Sequence, residues 1–376
     1  MFTRSESELI KKIIEDILEK LNQKASKYFN KGLVGFESRI EEIKSLLCLE
    51  SSDVRVVGIW GMGGLGKTTL ARAIYDEIAP QFDSCCFLPN TREQLQSCTL
   101  FQLQDQLFSA LIEKQCLTTS ILNLRLSFLK DRLCCKKVLI VVDDAHDLRQ
   151  LQELLLAGEP HFFGPGSIII VTSRNKQVLI NIAGDKICTM QKLDDNEALQ
   201  LFSLNAFKQD YPPSSRKLQS EWVIHYAKGI PLALKVLGSA LFGKSNEDWD
   251  SALTRLEKIP NQDICNVLRT SYDGLDPEEQ SIFLDIACFF RGRCRKIVTG
   301  ILNSYYASAH IVITTLIDRS LITVSSDANN LEVHDLIRQM GQKIVLDESK
   351  MPENRSRLWV PDDVCYVLKE NKVKII

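Results

Sequence analysis

Apolar positions change their period along this chain. Val54–Trp60, Cys85–Leu88, Val138–Val142 and Ser167–Thr172 are short, continuously apolar or rich in β-branched residues, as parallel strands covered on both faces are. Between them the period is helical, around 101–115, 121–133 and 147–157. This alternation predicts an α/β fold with a doubly wound parallel sheet over 31–190. From about residue 193 the strand signals thin out, and Leu193–Phe207, Leu218–Lys228, Pro231–Phe242 and Asp248–Lys258 read as helices of a helical domain spanning 191–272. Asp276-Pro277 opens a further unit, 273–350, whose helices end in a hairpin at Leu321–Val324 and Leu331–Val333, a winged-helix-like order. Before residue 30, Ser5-Glu6-Ser7-Glu8 resembles a capping box, and Leu9, Ile13, Ile14, Ile17, Leu18 and Leu21 follow at helical spacing. Region 1–30 is thus expected to be one amphipathic helix, and 351–376 a C-terminal linker.

The first strand runs into Gly61-Met62-Gly63-Gly64-Leu65-Gly66-Lys67-Thr68-Thr69, which fits G-x-x-x-x-G-K-[ST] between a strand and a helix. Gly61, Gly63, Gly64 and Gly66 let the backbone wrap so that N–H groups point at phosphate oxygens, and the helix N-terminus adds a favourable dipole. Lys67 then reaches the β- and γ-phosphates, and the Thr68 hydroxyl ligates Mg²⁺. The strand Val138–Val142 delivers Asp143 and Asp144 to the sheet edge, Asp143 for the Mg²⁺ shell and Asp144 to orient or deprotonate a water. Acidic residues are common in turns after strands, so this pair gains its meaning from the phosphate loop upstream. Arg174 follows the core strand Ser167–Thr172, where an arginine suits a bidentate contact with a γ-phosphate.

Composition narrows the partners. The 376 residues suffice for two or three domains, and 46 basic against 48 acidic residues give a net charge of −2. No global field favours nucleic acid or an anionic membrane. The run Arg291, Arg293, Arg295 and Lys296 leaves nucleic-acid binding open as an alternative, although such a run is usually a solvated helix end. The 12 cysteines contain no C-x-x-C spacing and no nearby histidine pair, which argues against zinc and for small buried hydrophobes in a reducing compartment. No signal-peptide core and no run near the ~18 apolar residues of a membrane span is present, so a soluble intracellular protein is expected.

The ordered set of motifs resembles the NB-ARC family, the nucleotide-binding domain of plant disease-resistance proteins, and its TIR-associated branch. The resemblance rests on Gly61–Thr69, Phe87–Glu93, Val138–Asp144, Gly166–Arg174, Glu197–Phe202, Gly229–Leu234, Phe283–Phe290, Val333–Asp335 and Arg355–Trp359. It implies a molecular switch in plant innate immunity, closed with ADP and opened by exchange for ATP, with slow hydrolysis as reset. Carried across, Lys67, Thr68 and Thr69 bind phosphates and Mg²⁺, Arg174 is the sensor, and Pro231 lines the base pocket, with Val34 and Arg39 beside the base. His334 reaches the ADP phosphate from the winged-helix domain. Pro231 equally suits the first turn of a helix. The resemblance further implies self-association, or association with other immune receptors, in the ATP state, and a cytoplasmic protein with a nuclear pool. Two positions depart from the pattern: Val333 stands where methionine is usual, and Ala145-His146-Asp147 where Asp or Trp follows the acidic motif. Neither a TIR domain nor a leucine-rich repeat is found, as expected of a truncated adaptor or of a partial gene model. A vigorous P-loop ATPase remains the second reading, one that would need an arginine finger or partner in trans.

Overall fold

A computed structural model describes residues 33–112, 122–156, 162–325 and 328–370. The helix expected within 1–30 lies outside the described residues. The chain forms two compact units, one built from the stretch up to Ile59 with Lys67–Thr172 and Ile182–Cys188, the other from Trp60–Gly66, Ser173–Asn181 and the chain from Thr189 onward.

The first unit is organised by a five-stranded sheet: β1 (Arg55–Trp60), β2 (Ser84–Leu88), β3 (Val138–Val142), β4 (Ile168–Ser173) and β5 (Ile187–Thr189), in the order β2-β3-β4-β1-β5. β2 and β3 pair in parallel with Ser84 opposite Val138, and β3 and β4 with Leu139 opposite Ile168. Every residue of β3 and of β4 is buried, which is why β3 and the first four residues of β4 read as unbroken apolar runs. β1 is bonded on either side, Arg55 donating to the Ser167 carbonyl and Gly58 to the Lys186 carbonyl, both at 2.9 Å. β5 is an addition to the sequence reading; with three residues it is too short to show a period. The expected helices are present as Lys67–Ile78, Leu100–Ile112, Leu122–Leu133 and Leu148–Leu155, together with a shorter one at Thr91–Ser97.

The second unit is helical apart from the hairpin of β6 (Thr323–Val324) and β7 (Leu331–Glu332). Helices Asp195–Ala206, Asn246–Lys258 and Pro277–Asp285 each begin with a capping box, from Asp194, Ser245 and Asp276, which satisfies first-turn amides that a helix leaves orphaned. Gly238 on helix Pro231–Leu241 lies against the Phe202 carbonyl and Asn205, so only a residue without a side chain fits that crossing. Trp249 stacks on Phe207 at 5.5 Å and donates to the Leu241 carbonyl at 3.0 Å. Helix Pro277–Asp285 continues into a π-helical turn, Ile286–Phe290, followed by helices Arg295–Leu302, Ala309–Asp318 and Asp335–Glu348. The segment after them is tied back by Arg357, which donates to Asp285 at 2.6 Å and to the Ser281 carbonyl at 2.8 Å.

Gly164 closes the turn between helix Leu122–Leu133 and β3 by donating to the Leu133 and Lys136 carbonyls at 2.9 and 3.0 Å. A Cβ there would stand 2.5 Å from the Lys136 carbonyl oxygen, whereas one on Gly184, at φ +62, would meet open space. Gly164→Ala should therefore destabilise the protein by about 1–3 kcal/mol. Gly184→Ala should cost only about 1 kcal/mol for its backbone conformation. Denaturant midpoints of the two variants and the parent measure the difference.

Candidate functional site

β1 ends at Trp60 and the glycine loop follows, with helix Lys67–Ile78 beginning directly after Gly66. Gly64 and Gly66 have φ of +85 and +91, a region that residues with a Cβ enter only under strain. Gly64 is also crowded, since a Cβ would lie 3.0 Å from the Leu232 Cβ. Its carbonyl accepts the Leu232 N–H at 3.1 Å, an amide in the first turn of helix Pro231–Leu241. At Gly63 a Cβ would come within 2.8 Å of Arg174 Nη1. Within this second unit, then, the loop backbone is seated between Arg174 and the segment Ile230–Leu232.

In the first unit Lys67 opens its helix with a buried side chain, Thr68 is exposed and Thr69 half-buried. Thr68 donates its hydroxyl to Asp143 Oδ1 and Oδ2 at 2.9 and 3.0 Å. Asp143 is 0% exposed, and Thr172 donates to its Oδ1 at 2.6 Å and the Asn90 amide to its Oδ2 at 3.3 Å. Its backbone carbonyl accepts from the Thr91 amide and hydroxyl, both at 2.8 Å. Asp144 has φ +54, and its amide donates to the Thr172 hydroxyl at 2.9 Å. Burying a carboxylate costs several kcal/mol unless donors replace its water, and this site supplies them. Its donor set, a hydroxyl and a carboxylate, is of the hard-oxygen kind that suits a small divalent cation. Among the described residues no group of three His, Cys, Asp or Glu forms a cage of its own.

Arg174 donates from Nη1 to the Val267 carbonyl at 2.9 Å and to Ser271 Oγ at 3.2 Å, both on helix Gln262–Asp273. Pro231 occupies the first turn of its helix and is buried. Gly229 before it has φ +73 and would put a Cβ 2.3 Å from the Leu193 carbonyl oxygen. In the first unit Val34 is buried and Arg39 donates to the Gly35 carbonyl at 2.7 Å.

His334 is the N-cap of helix Asp335–Glu348: Nδ1 accepts the Leu336 amide at 3.2 Å, while the buried Nε2 has no partner in hydrogen-bond geometry among the described residues. Asp335 is ion-paired with both Lys228 and Arg291. Burial alone raises its carboxyl, but the bonds from Lys228 and Arg291 outweigh burial and hold it below the ordinary range. Lys192 is pushed down, first by burial and then by Lys228. Arg291, read from sequence as part of a solvated basic run, is thus engaged, and Arg295 donates to Thr314 at 2.9 Å. The sequence reading also passed over Thr172 and Asn90 as partners of Asp143, and Lys228 as a partner of Asp335. A polar residue closing a β-branched strand was the one available signal for Thr172.

Residues 36–211 match the NB-ARC domain family, and residues 276–349 match the winged-helix domain of proteins like the disease resistance protein Roq1. Over 362 residues the chain is 43% identical to disease resistance protein RPV1 of Vitis rotundifolia, covering 96% of this chain and 26% of that protein. It is 38% identical to TMV resistance protein N of Nicotiana glutinosa over 374 residues, 98% of this chain and 32% of that one. The chain thus spans about a quarter to a third of the length of these relatives. Among solved structures, the Walker-type ATPase PABY2304 of Pyrococcus abyssi superposes with a TM-score of 0.57 at 15% identity, over 83% of this chain and 96% of that one, a likeness of fold alone. Together with the phosphate loop, the NB-ARC match makes this a nucleotide-binding chain. No described helix is long and apolar enough to cross a membrane.

Burial pushes the His334 imidazole down from 6.5 to about 4, Lys192 acting the same way and the backbone at Lys228 and the Asp335 charge opposing. The unfolded chain takes up this proton near pH 6.5 and the folded one resists to about 4, so the stabilisation is complete above 6.5 and falls away as pH drops through 4. The loss amounts to about 3 kcal/mol. His334→Gln should flatten the decline of unfolding midpoints between pH 6.5 and 4, compared with the parent.

Proposed function

We propose that this chain, which belongs to the NB-ARC family through residues 36–211, is a switch set by its nucleotide, closed with ADP and opened by ATP, within a plant disease-resistance protein. The observation that carries the reading is His334: a half-buried imidazole whose enclosed Nε2, near the Lys228 backbone, makes no hydrogen bond of full geometry among the described residues, held beside an Asp335 carboxylate that Lys228 and Arg291 grip. Such a group adds a contact to a phosphate in one arrangement of the chain only, and a ligand shifts a two-state equilibrium by its differential affinity.

On this reading Lys67, Thr68 and Thr69 take the phosphates, Arg174 meets the γ-phosphate, Pro231, Val34 and Arg39 serve the base, and His334 takes a phosphate of ADP. Thr68 and Asp143 would hold Mg²⁺, which would supply positive charge against that of the phosphates. Asp144 orients the attacking water and accepts its proton, in a slow hydrolysis that resets the switch. The division into 31–190, 191–272 and 273–350 supplies the moving parts. Self-association or association with other immune receptors, in the cytoplasm with a nuclear pool, completes the proposal.

Lys67→Arg should abolish nucleotide retention and leave far-UV circular dichroism unchanged, because a planar guanidinium does not seat where a compact ammonium does. Nucleotide released from denatured protein is the measurement: ADP from the parent and almost none from the variant is expected, and equal content sinks the assignment.

The latch has its own test. Asp335→Val leaves Lys228 and Arg291 without this carboxylate, and His334→Ala removes the imidazole. A lost charge-assisted hydrogen bond of about 1.5–3 kcal/mol corresponds to roughly 10- to 150-fold, the expected acceleration of ADP release. Off-rates equal to the parent in both variants, with an unchanged radius in small-angle scattering, would remove the latch from the reading.

A further inference from the structure

We propose that Thr172 is the positioning residue that sets both members of the acidic pair at once. One hydroxyl fixes the Asp143 carboxylate for the metal and, through the Asp144 amide, fixes the backbone from which Asp144 addresses a water. The inference rests on the nucleotide-switch reading and deepens it.

A threonine hydroxyl has one proton to give and lone pairs to accept with. At Thr172 the proton goes to Asp143 Oδ1 at 2.6 Å and a lone pair receives the Asp144 N–H at 2.9 Å, so the rotor is fixed from both sides. The residue is 1% exposed, near the end of an all-buried strand, so the bond is shielded from bulk solvent. The same bond steadies Asp144, whose φ of +54 lies in the left-handed region, which aspartate enters more readily than most L-residues but still at some cost.

Thr68 also donates to Asp143 but is exposed, and its oxygen is the one proposed for the metal. Once that oxygen turns to a cation, Thr172 and the Asn90 amide are, among the described residues, the donors left to keep the carboxylate in place. A residue that orients a metal-holding group without touching the metal typically changes affinity or activity by about 10- to 100-fold when replaced.

The experiment uses the full chain with Thr172→Val, which keeps the branched shape and removes the hydroxyl, and Thr172→Ser, which restores it. Three quantities are read: ADP affinity without divalent metal, the Mg²⁺ concentration for half-maximal ATP binding, and the single-turnover hydrolysis rate at saturating Mg²⁺. For Thr172→Val the Mg²⁺ requirement should rise and the rate fall, each by about 10- to 100-fold. Metal-free ADP affinity should stay within about twofold, because the hydroxyl acts on the metal carboxylate and not on the phosphates. Thr172→Ser should recover both. Parent-like Mg²⁺ dependence and rate in Thr172→Val overturn the inference. So does a loss of metal-free ADP binding as large as the other losses, which marks a merely structural role, and so does a serine variant no better than valine. If the parent binds no nucleotide, the switch reading falls and takes this inference with it.

Discussion

A carboxylate with no exposure at all, Asp143 at the end of a fully buried strand, is the constraint around which the first unit is arranged. Its charge cannot be left without donors, since an unmet buried charge costs several kcal/mol. Those donors come from three directions: Thr68 from the helix after the glycine loop, Thr172 from β4, and the Asn90 amide from the turn after β2. The strand order makes this feasible. With β4 lying between β3 and β1, the last residues of β4 arrive beside the last residues of β3, and Val142 pairs with Val171 in register. The next position along brings Thr172 to Asp143.

In the second unit the corresponding role belongs to helix ends. Lys228 caps helix Lys217–Ala227 in a left-handed conformation, φ +47, and its side chain meets Asp335, in the first turn of helix Asp335–Glu348. A carboxylate in a first helical turn is stabilised by the helix dipole in addition to its ion pairs. The His334 ring caps the same turn through Nδ1, which fixes that nitrogen as the acceptor and leaves Nε2 carrying the proton in the neutral ring. Asp335 and His334 are thus adjacent in sequence but do different work, one tying elements together and the other presenting a buried N–H.

What could be read from the sequence was whatever a local period or spacing encodes. The glycine loop is legible because each of its glycines answers a backbone need, and Asp143, Asp144 and Arg174 because each ends a strand whose apolar run is unmistakable. β5 was not legible, since Ile187–Thr189 is too short, and neither was helix Gln262–Asp273, although Asn261 caps it by accepting from the Asp263 and Ile264 amides. Thr172 looks like any β-branched residue until β3 is placed next to it. Lys228, Arg291 and Asp335 pair across long sequence separations, and no local pattern announces such a meeting. Arg291 instructs most here, because within a run of basic residues it is committed to a half-buried carboxylate that no local pattern reveals, while Arg293 and Lys296 stay exposed.

The strand order also fixes a sequence of events during synthesis. β2 and β3 neighbour one another in the sheet, yet β1, made before either, hydrogen-bonds to neither; its partners are β4 and β5, through Ser167 and Lys186. The strand that leads into the glycine loop therefore leaves the ribosome long before anything can pair with it, and contacts so distant along the chain form slowly. Until β4 is inserted, Asp143 also lacks the Thr172 hydroxyl. A chain interrupted before residue 167 would carry the glycine loop and both acidic residues in full and still have no central strand on which to assemble them.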